Sequence, residues 1–184
     1  MTHSALLLMD LQTDFLAPDG RMPVDQADVV RIVATANAVL AGRVLSDALA
    51  IMVLNQFPKS HRIGNFFRHG AAVAGSSGAQ LDPRIQDRMG TVVIAKASPS
   101  AFSNPQLDQL LRAHQVQQLA VFGVFAEGCV RATAIDALRH GYKVTVPADA
   151  IGSNANFKRR LAVWAMRRAG VLLVPTLLSG QRAV

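Results

Sequence analysis

The sequence predicts an α/β fold of three layers, in which helices cover both faces of a mainly parallel sheet of about six strands. Two observations lead to this prediction. Short apolar runs alternate along the chain with helical patterns, as in repeated units that join parallel strands by right-handed crossovers. The apolar runs are rich in Val, Ile and Leu without an alternating polar face, which indicates strands buried on both sides.

The first half of the chain contains the longest irregular segment. We predict a first strand at Ala5–Met9, a helix at Asp25–Leu49 and a second strand at Ala50–Leu54. The irregular segment follows at residues 55–90. Apolar residues recur in the helix at three- and four-residue spacing. The segment 55–90 is rich in Gly, Pro and Ser, and loops of this length in a compact domain are usually functional or disordered.

The second half repeats the strand–helix unit more regularly. We predict strands at Thr91–Ala95, Leu119–Phe122, Lys143–Val146 and Val171–Val174. The helices between them are predicted at Asn104–His114, Cys129–His140 and Ala155–Ala169. Pro105 suits the first turn of its helix, and Gly141 and Gly170 end the helices before them. No linker or internal repeat interrupts the pattern, so we expect residues 1–184 to form one domain.

Composition limits the class of protein. Of 184 residues, 51% are hydrophobic, which is enough for a large core, and the net charge is +7. A single cysteine excludes an intramolecular disulfide and fits a reducing, cytoplasmic setting. No apolar run approaches the ~20 residues of a transmembrane helix, and the first residues lack a signal-peptide pattern, so we expect no membrane partner.

The positive charge is spread along the chain, apart from one cluster on a predicted surface helix at 158–168. Such a face is usually solvated, and no nucleic-acid-binding motif accompanies it, so we expect no nucleic-acid partner. The charge is compatible with an anionic substrate.

Three chemically complementary residues follow apolar strands. Asp10 comes directly after the first strand, Lys96 after the third, and Cys129 in the first turn of the helix after the fourth. Ligands bind at the carboxyl ends of parallel strands, so we expect the three side chains to converge there. The carboxylate could take the proton of the thiol, while the ammonium group and the helix N-terminus would lower the pKa of the thiol.

Each of these residues also has a structural interpretation. A lone cysteine is often a small buried hydrophobic residue. An aspartate after a strand often stabilises a turn, and a lone lysine is most often exposed. Taken singly, the residues leave these alternatives open.

Taken together, three segments resemble the isochorismatase-like cysteine hydrolases. They are the opening motif at 8–15, the lysine segment at 96–102 ending in Ser-Ala-Phe, and the nucleophile segment at 123–137, which residues 141–150 continue. The resemblance extends over roughly residues 5–175.

The resemblance implies a catalytic triad. Cys129 would be the nucleophile, Asp10 the general base and Lys96 the electrostatic partner. The resemblance also implies a cis peptide bond at Val124–Phe125, with the backbone N–H groups of Phe125 and Cys129 forming the oxyanion hole.

The loop after the second strand departs from the metal-binding members of this family. The nicotinamidase branch carries Asp-Trp-His-Pro and a second His, where this chain has Asn55, Phe57 and only His61. A zinc or iron site needs several N, O or S ligands, so we predict no metal and no other cofactor. His61 is then a loop residue or a substrate contact, and nicotinamidase activity is disfavoured.

The resemblance implies a hydrolase that cleaves a C–N bond of a small amide, carbamoyl or ureido compound through a thioester. Its pocket would be lined by Phe15, Phe57, Phe102 and Phe125, although aromatic residues near strand ends more often belong to the core. Family members commonly complete their pockets with a neighbouring subunit, so we expect a homodimer or homotetramer, with a monomer as the alternative. Two other functions stay open: a binding or scaffold protein that kept the fold, and nucleic-acid binding by the basic helix.

Overall fold

Seven parallel strands form one sheet, flanked by helices. The structure is a computed structural model that describes residues 3–42, 44–87 and 91–178. The strands are β1 (Ser4–Met9), β2 (Leu49–Asn55), β3 (Val92–Lys96), β4 (Gln118–Val124), β5 (Lys143–Pro147), β6 (Ile151–Gly152) and β7 (Leu172–Val174). Their spatial order is β3-β2-β1-β4-β5-β7, and the short β6 pairs with the end of β4. The predicted fold class is confirmed.

The helices connect the strands and cover the sheet. In the described parts of the chain they are α1 (Thr13–Leu16), α2 (Gln26–Leu40), α3 (Arg62–Phe67), α4 (Pro105–Ala113), α5 (Arg131–Arg139) and α6 (Asn156–Ala169). Short 3₁₀ turns lie at Ser77–Ala79 and Ala101–Ser103, and a π-helical turn at Ala126–Val130. Of these helices, none has the length and apolar character needed to cross a membrane.

The two central strands, β1 and β4, lie in the middle of the hydrophobic core. Nearly all of their residues are buried, because helices cover both faces of the sheet. At their carboxyl ends, Met9 pairs with Gly123. Gly123 has a φ of +121°, and a Cβ there would lie 2.2 Å from Met9 O, so only glycine fits. This close contact brings Asp10 beside the chain that leaves β4.

Several boundaries differ from the sequence prediction. The helix expected over Asp25–Leu49 ends at Leu40, since the chain turns at Gly42 with a φ of +68°. The segment expected to be irregular contains α3, which is too short to show a periodic pattern. The helix expected from Cys129 begins at Arg131 instead. The two-residue strand β6 was not predicted, because so short a run carries no sequence pattern.

Candidate active site

Asp10, Lys96 and Cys129 meet at the carboxyl ends of β1, β3 and β4. Lys96 Nζ lies 3.0 Å from Asp10 Oδ2 and 3.2 Å from Cys129 Sγ. Asp10 and Lys96 are buried, whereas Cys129 is partly exposed. The ammonium group therefore lies between a carboxylate and the one thiol of the chain, and only the thiol is open to a substrate.

The backbone of Asp10 explains how this side chain reaches the site. Asp10 has a φ of 55°, a left-handed conformation that aspartate tolerates better than most residues. Its N–H donates to Val53 O at 2.8 Å, which continues the pairing of β1 with β2 by one residue. Oδ1 of Asp10 is buried and has no hydrogen-bond partner among the described residues. The Asp10 carboxyl group as a whole interacts with the Cys129 thiol, and this interaction favours the ionised form of Asp10 by lowering its pKa. This oxygen is free to take the thiol proton.

Burial and charge move the pKa values of all three groups upward. Burial raises the pKa of Asp10, although the Lys96 charge opposes the shift. Burial alone would lower the pKa of Lys96, but the charges of Asp10 and Cys129 outweigh it and raise this pKa. Burial, with the charge of Asp10, raises the pKa of the Cys129 thiol to about 12, against the opposing effect of Lys96.

The thiol is therefore protonated at rest, contrary to the expectation that its pKa is lowered. Lys96 does favour the thiolate, as predicted, but burial and the carboxylate dominate. Cys129 also lies before α5, in the π-helical turn, rather than in the first turn of the helix itself. A thiol with a raised pKa needs a base beside it to become a thiolate, and the Asp10 carboxylate lies in that position.

The turn that carries Cys129 has one of the backbone features that the resemblance implies. The peptide bond Val124–Phe125 is cis. Phe125 O accepts hydrogen bonds from Gly128 N at 3.0 Å and Val130 N at 3.2 Å, which closes the turn around the thiol. The oxyanion hole formed by the N–H groups of Phe125 and Cys129 stays a prediction.

The structure adds two residues that sequence reasoning did not place in the site. Asn55 Oδ1 accepts a hydrogen bond from Lys96 Nζ at 2.7 Å, and Asn55 Nδ2 lies 3.8 Å from Cys129 Sγ. Gln12 is fully buried and bonds to the backbone of Asn55. The signal was available: Asn55 ends β2 in register with Lys96, and Gln12 belongs to the opening motif.

The residues expected to line the pocket or to contact the substrate have different surroundings. Phe15 is buried, and its ring packs edge-on against that of Phe125 with centroids 5.4 Å apart. Phe57 is buried beneath the guanidinium group of Arg68, 3.7 Å from the ring centroid. His61 is exposed and precedes α3.

Phe102 packs against aromatic rings near the carboxyl end of α5. Its ring stacks on His140 with centroids 4.5 Å apart and lies 6.0 Å from that of Tyr142. His140 follows the carboxyl end of α5, and Cys129 precedes the other end of that helix. These ring contacts are with residues at the far end of α5 from Cys129, and the place of Phe102 in the pocket stays a prediction.

Comparisons with known proteins agree with this geometry. A family model described as Isochorismatase domain matches residues 4–176. Nicotinamidase of Escherichia coli (strain K12) is 32% identical over 181 residues, covering 81% of this chain and 83% of that protein. N-carbamoylsarcosine amidase of an Arthrobacter species is 40% identical over 79 residues, which cover 43% of this chain and only 30% of the relative.

A solved structure shares the fold over nearly the whole chain. The pyrazinamidase of Pyrococcus horikoshii in complex with zinc superposes with a TM-score of 0.83 at 30% identity, covering 94% of this chain and 98% of that one. Zinc in that protein raises the question of a metal here. In the described parts of the chain, no three His, Cys, Asp or Glu side chains are grouped so that they could hold a metal ion. Asn55 Oδ1 accepts a hydrogen bond from Lys96 Nζ, so the described residues of this site do not fit a metal.

Proposed function

Because the chain belongs to the isochorismatase family of hydrolases, we propose that it is a cysteine amidohydrolase that uses Asp10, Lys96 and Cys129 as a catalytic triad. Its substrate would be a small amide, carbamoyl or ureido compound, cleaved at a C–N bond without a metal. The observation that carries this proposal is the position of the Lys96 ammonium group, within 3.2 Å of both Asp10 Oδ2 and Cys129 Sγ.

In the proposed first half-reaction, Sγ of Cys129 attacks the carbonyl carbon while Asp10 takes the thiol proton. Lys96 balances the negative charge that passes from the carboxylate to the sulfur. The N–H groups of Phe125 and Cys129 would hold the oxyanion. Asp10 then gives its proton to the leaving nitrogen, the C–N bond breaks, and ammonia or an amine departs from a thioester on Cys129.

In the second half-reaction, water attacks the thioester carbonyl and Asp10 takes a proton from that water. The C–S bond breaks, the acid leaves, and the proton returns to Sγ. The sum is one amide and one water converted to one acid and one amine. Burying Asp10 and Lys96 costs desolvation free energy that apolar side chains would avoid, so a scaffold protein would have no reason to keep the pair, which argues against that alternative.

The direct test is a screen of small amides, carbamoyl compounds and ureas for release of ammonia or amine, run on wild type and Cys129→Ala. Wild type should hydrolyse at least one of these compounds, and Cys129→Ala should lose that activity. Circular dichroism and the thermal unfolding midpoint should show that the variant keeps the wild-type fold. Hydrolysis by Cys129→Ala at the wild-type rate would refute the nucleophile.

We also propose a homodimer or homotetramer in the cytoplasm. Ile63, Phe66 and Phe67 of α3 are 75–79% exposed, an apolar surface on the segment that follows the candidate site. On α6, exposed Trp164 is surrounded by Lys and Arg without any acidic residue, so pairing two copies of α6 would bring like charges together. We therefore place the contact between subunits at α3.

Light scattering tests the oligomeric state. It should give a multiple of the single-chain mass of 19.7 kDa. A mass equal to that of one chain at every concentration would refute the proposed oligomer.

A further inference from the structure

Asn55 contacts both the Lys96 ammonium group and the Cys129 thiol. The Lys96 ammonium group directs its hydrogen bonds to three acceptors, which are Asp10 Oδ2, Asn55 Oδ1 and Cys129 Sγ. A lysine has only donors, so the amide oxygen of Asn55 must face Nζ. The amide nitrogen then faces Cys129 Sγ, at 3.8 Å. Asn55 thus offers the sulfur a second donor.

The side-chain amide of Gln12 fixes the backbone of Asn55 by two hydrogen bonds. Its Oε1 accepts from Asn55 N–H at 2.9 Å, and its Nε2 donates to Asn55 O at 2.8 Å. The same Nε2 donates to Ala79 O at 2.7 Å, in the 3₁₀ turn at Ser77–Ala79. The amide of Gln12 is fully buried and satisfied at both ends. It therefore fixes the carboxyl end of β2 as a neighbouring strand would.

We propose that Asn55 is a fourth catalytic residue, which donates a hydrogen bond to the Cys129 thiolate, and that Gln12 is the residue that positions it. The proposal rests on the proposed function in taking Cys129 as the nucleophile. An amide suits this position because it orients the ammonium group without accepting a proton from it. Of the three described side chains that interact with the thiol, Asp10 is then the one that can take the thiol proton.

The chemistry of the amide separates this role from a purely structural one. An aspartate at position 55 has nearly the same shape and keeps an acceptor for Lys96. It replaces the N–H that faces the sulfur with an oxygen, and it adds a negative charge beside the developing thiolate. A structural role would tolerate this exchange better than truncation to alanine, whereas a donor to the thiolate would not.

The test measures the rate at which iodoacetamide alkylates Cys129, across a range of pH. The chain has one cysteine, so intact-protein mass reports this residue alone. Asn55→Ala should lower the rate about 10- to 100-fold, the loss expected for a hydrogen bond to a charged group. Asn55→Asp should lower it at least as much and shift the pH profile to higher pH, while unfolding near the wild-type temperature.

Gln12→Ala tests the positioning role. It should lower the alkylation rate in the same direction and lower kcat for any substrate found, with KM unchanged. The matched controls are Asn37→Ala and Gln26→Ala, which remove amides bonded to backbone atoms away from the site. Both controls should alkylate at the wild-type rate.

Wild-type alkylation by a folded Asn55→Asp or Asn55→Ala would overturn the proposal. If both Asn55 variants fail to fold, an unchanged alkylation rate and kcat in Gln12→Ala would overturn it. Because alkylation needs no substrate, these outcomes are independent of the amide screen. Failure of the screen with slow alkylation in the variants would count against the proposed function and leave the role of Asn55 standing.

Discussion

Replacing Lys96 with methionine removes the positive charge from the site and keeps much of the buried stem. In wild type, Nζ lies 3.2 Å from Cys129 Sγ. At an effective dielectric constant of ~20, unit charges at this separation attract by about 5 kcal/mol, which would be roughly three to four powers of ten in thiolate stability. Asp10 has a raised pKa and will take a proton once the cation is gone, which removes an opposing negative charge. The net loss should therefore be smaller, about two to three powers of ten.

The assay is again alkylation of the single cysteine by iodoacetamide, followed by intact-protein mass near neutral pH. Lys143→Met is the matched control, because Lys143 is an exposed lysine at the start of β5. It should react at the wild-type rate. Lys96→Arg should recover only part of the loss, since a planar guanidinium group does not replace a compact ammonium group. Alkylation of Lys96→Met at the wild-type rate would refute the proximity argument.

Three further outcomes are expected. Only ionised Asp10 can accept the thiol proton and its pKa is raised, so kcat/KM should fall with decreasing pH at a midpoint above 3.8, the ordinary value of an aspartate; an acid limb at the ordinary value would contradict the raised pKa of Asp10. The pKa of Lys96 is also raised, so the ammonium group should stay charged into alkaline pH. Activity should survive EDTA and phenanthroline, and a loss that added zinc or iron restores would contradict the metal-free site. Gly123→Ala should lower the free energy of unfolding, measured in urea, by ~2–6 kcal/mol, because the new Cβ adds backbone strain and a clash with Met9 O. Gly42→Ala is the control: Gly42 also has a positive φ but has open space around it, so this variant should lose less free energy of unfolding. Equal losses in the two variants would refute the clash with Met9 O.

The parallel sheet and the edge that carries the site could be predicted from the sequence, whereas the spatial order of the strands was not predicted. Buried strands such as β1 and β4 lack a polar face, and that pattern identifies a parallel sheet. Once the sheet is parallel, polar residues directly after the strands must lie at one edge. The same reasoning brought Asp10, Lys96 and Cys129 together, and the structure places their side chains in contact.

What could not be predicted depends on side-chain direction and on burial. The sequence places Phe102 near the carboxyl end of β3, but it does not show that the ring stacks on His140. In the sequence, Asn55 stands out only because it replaces the metal-binding Asp of the nicotinamidase branch. The structure shows that its amide oxygen accepts a hydrogen bond from Lys96 Nζ. The direction of the thiol pKa shift required the buried surroundings, because a lysine and a helix terminus alone suggest a shift to lower values.

The central claim is that Cys129 forms a thioester with its substrate. The most direct measurement mixes the protein with a hydrolysed amide from the screen, quenches with acid during turnover, and records the mass of the intact protein. The account predicts a mass increase equal to the acyl group, located on the peptide containing Cys129 and absent from Cys129→Ala. Turnover without any adduct, together with undiminished hydrolysis by Cys129→Ala, would contradict it.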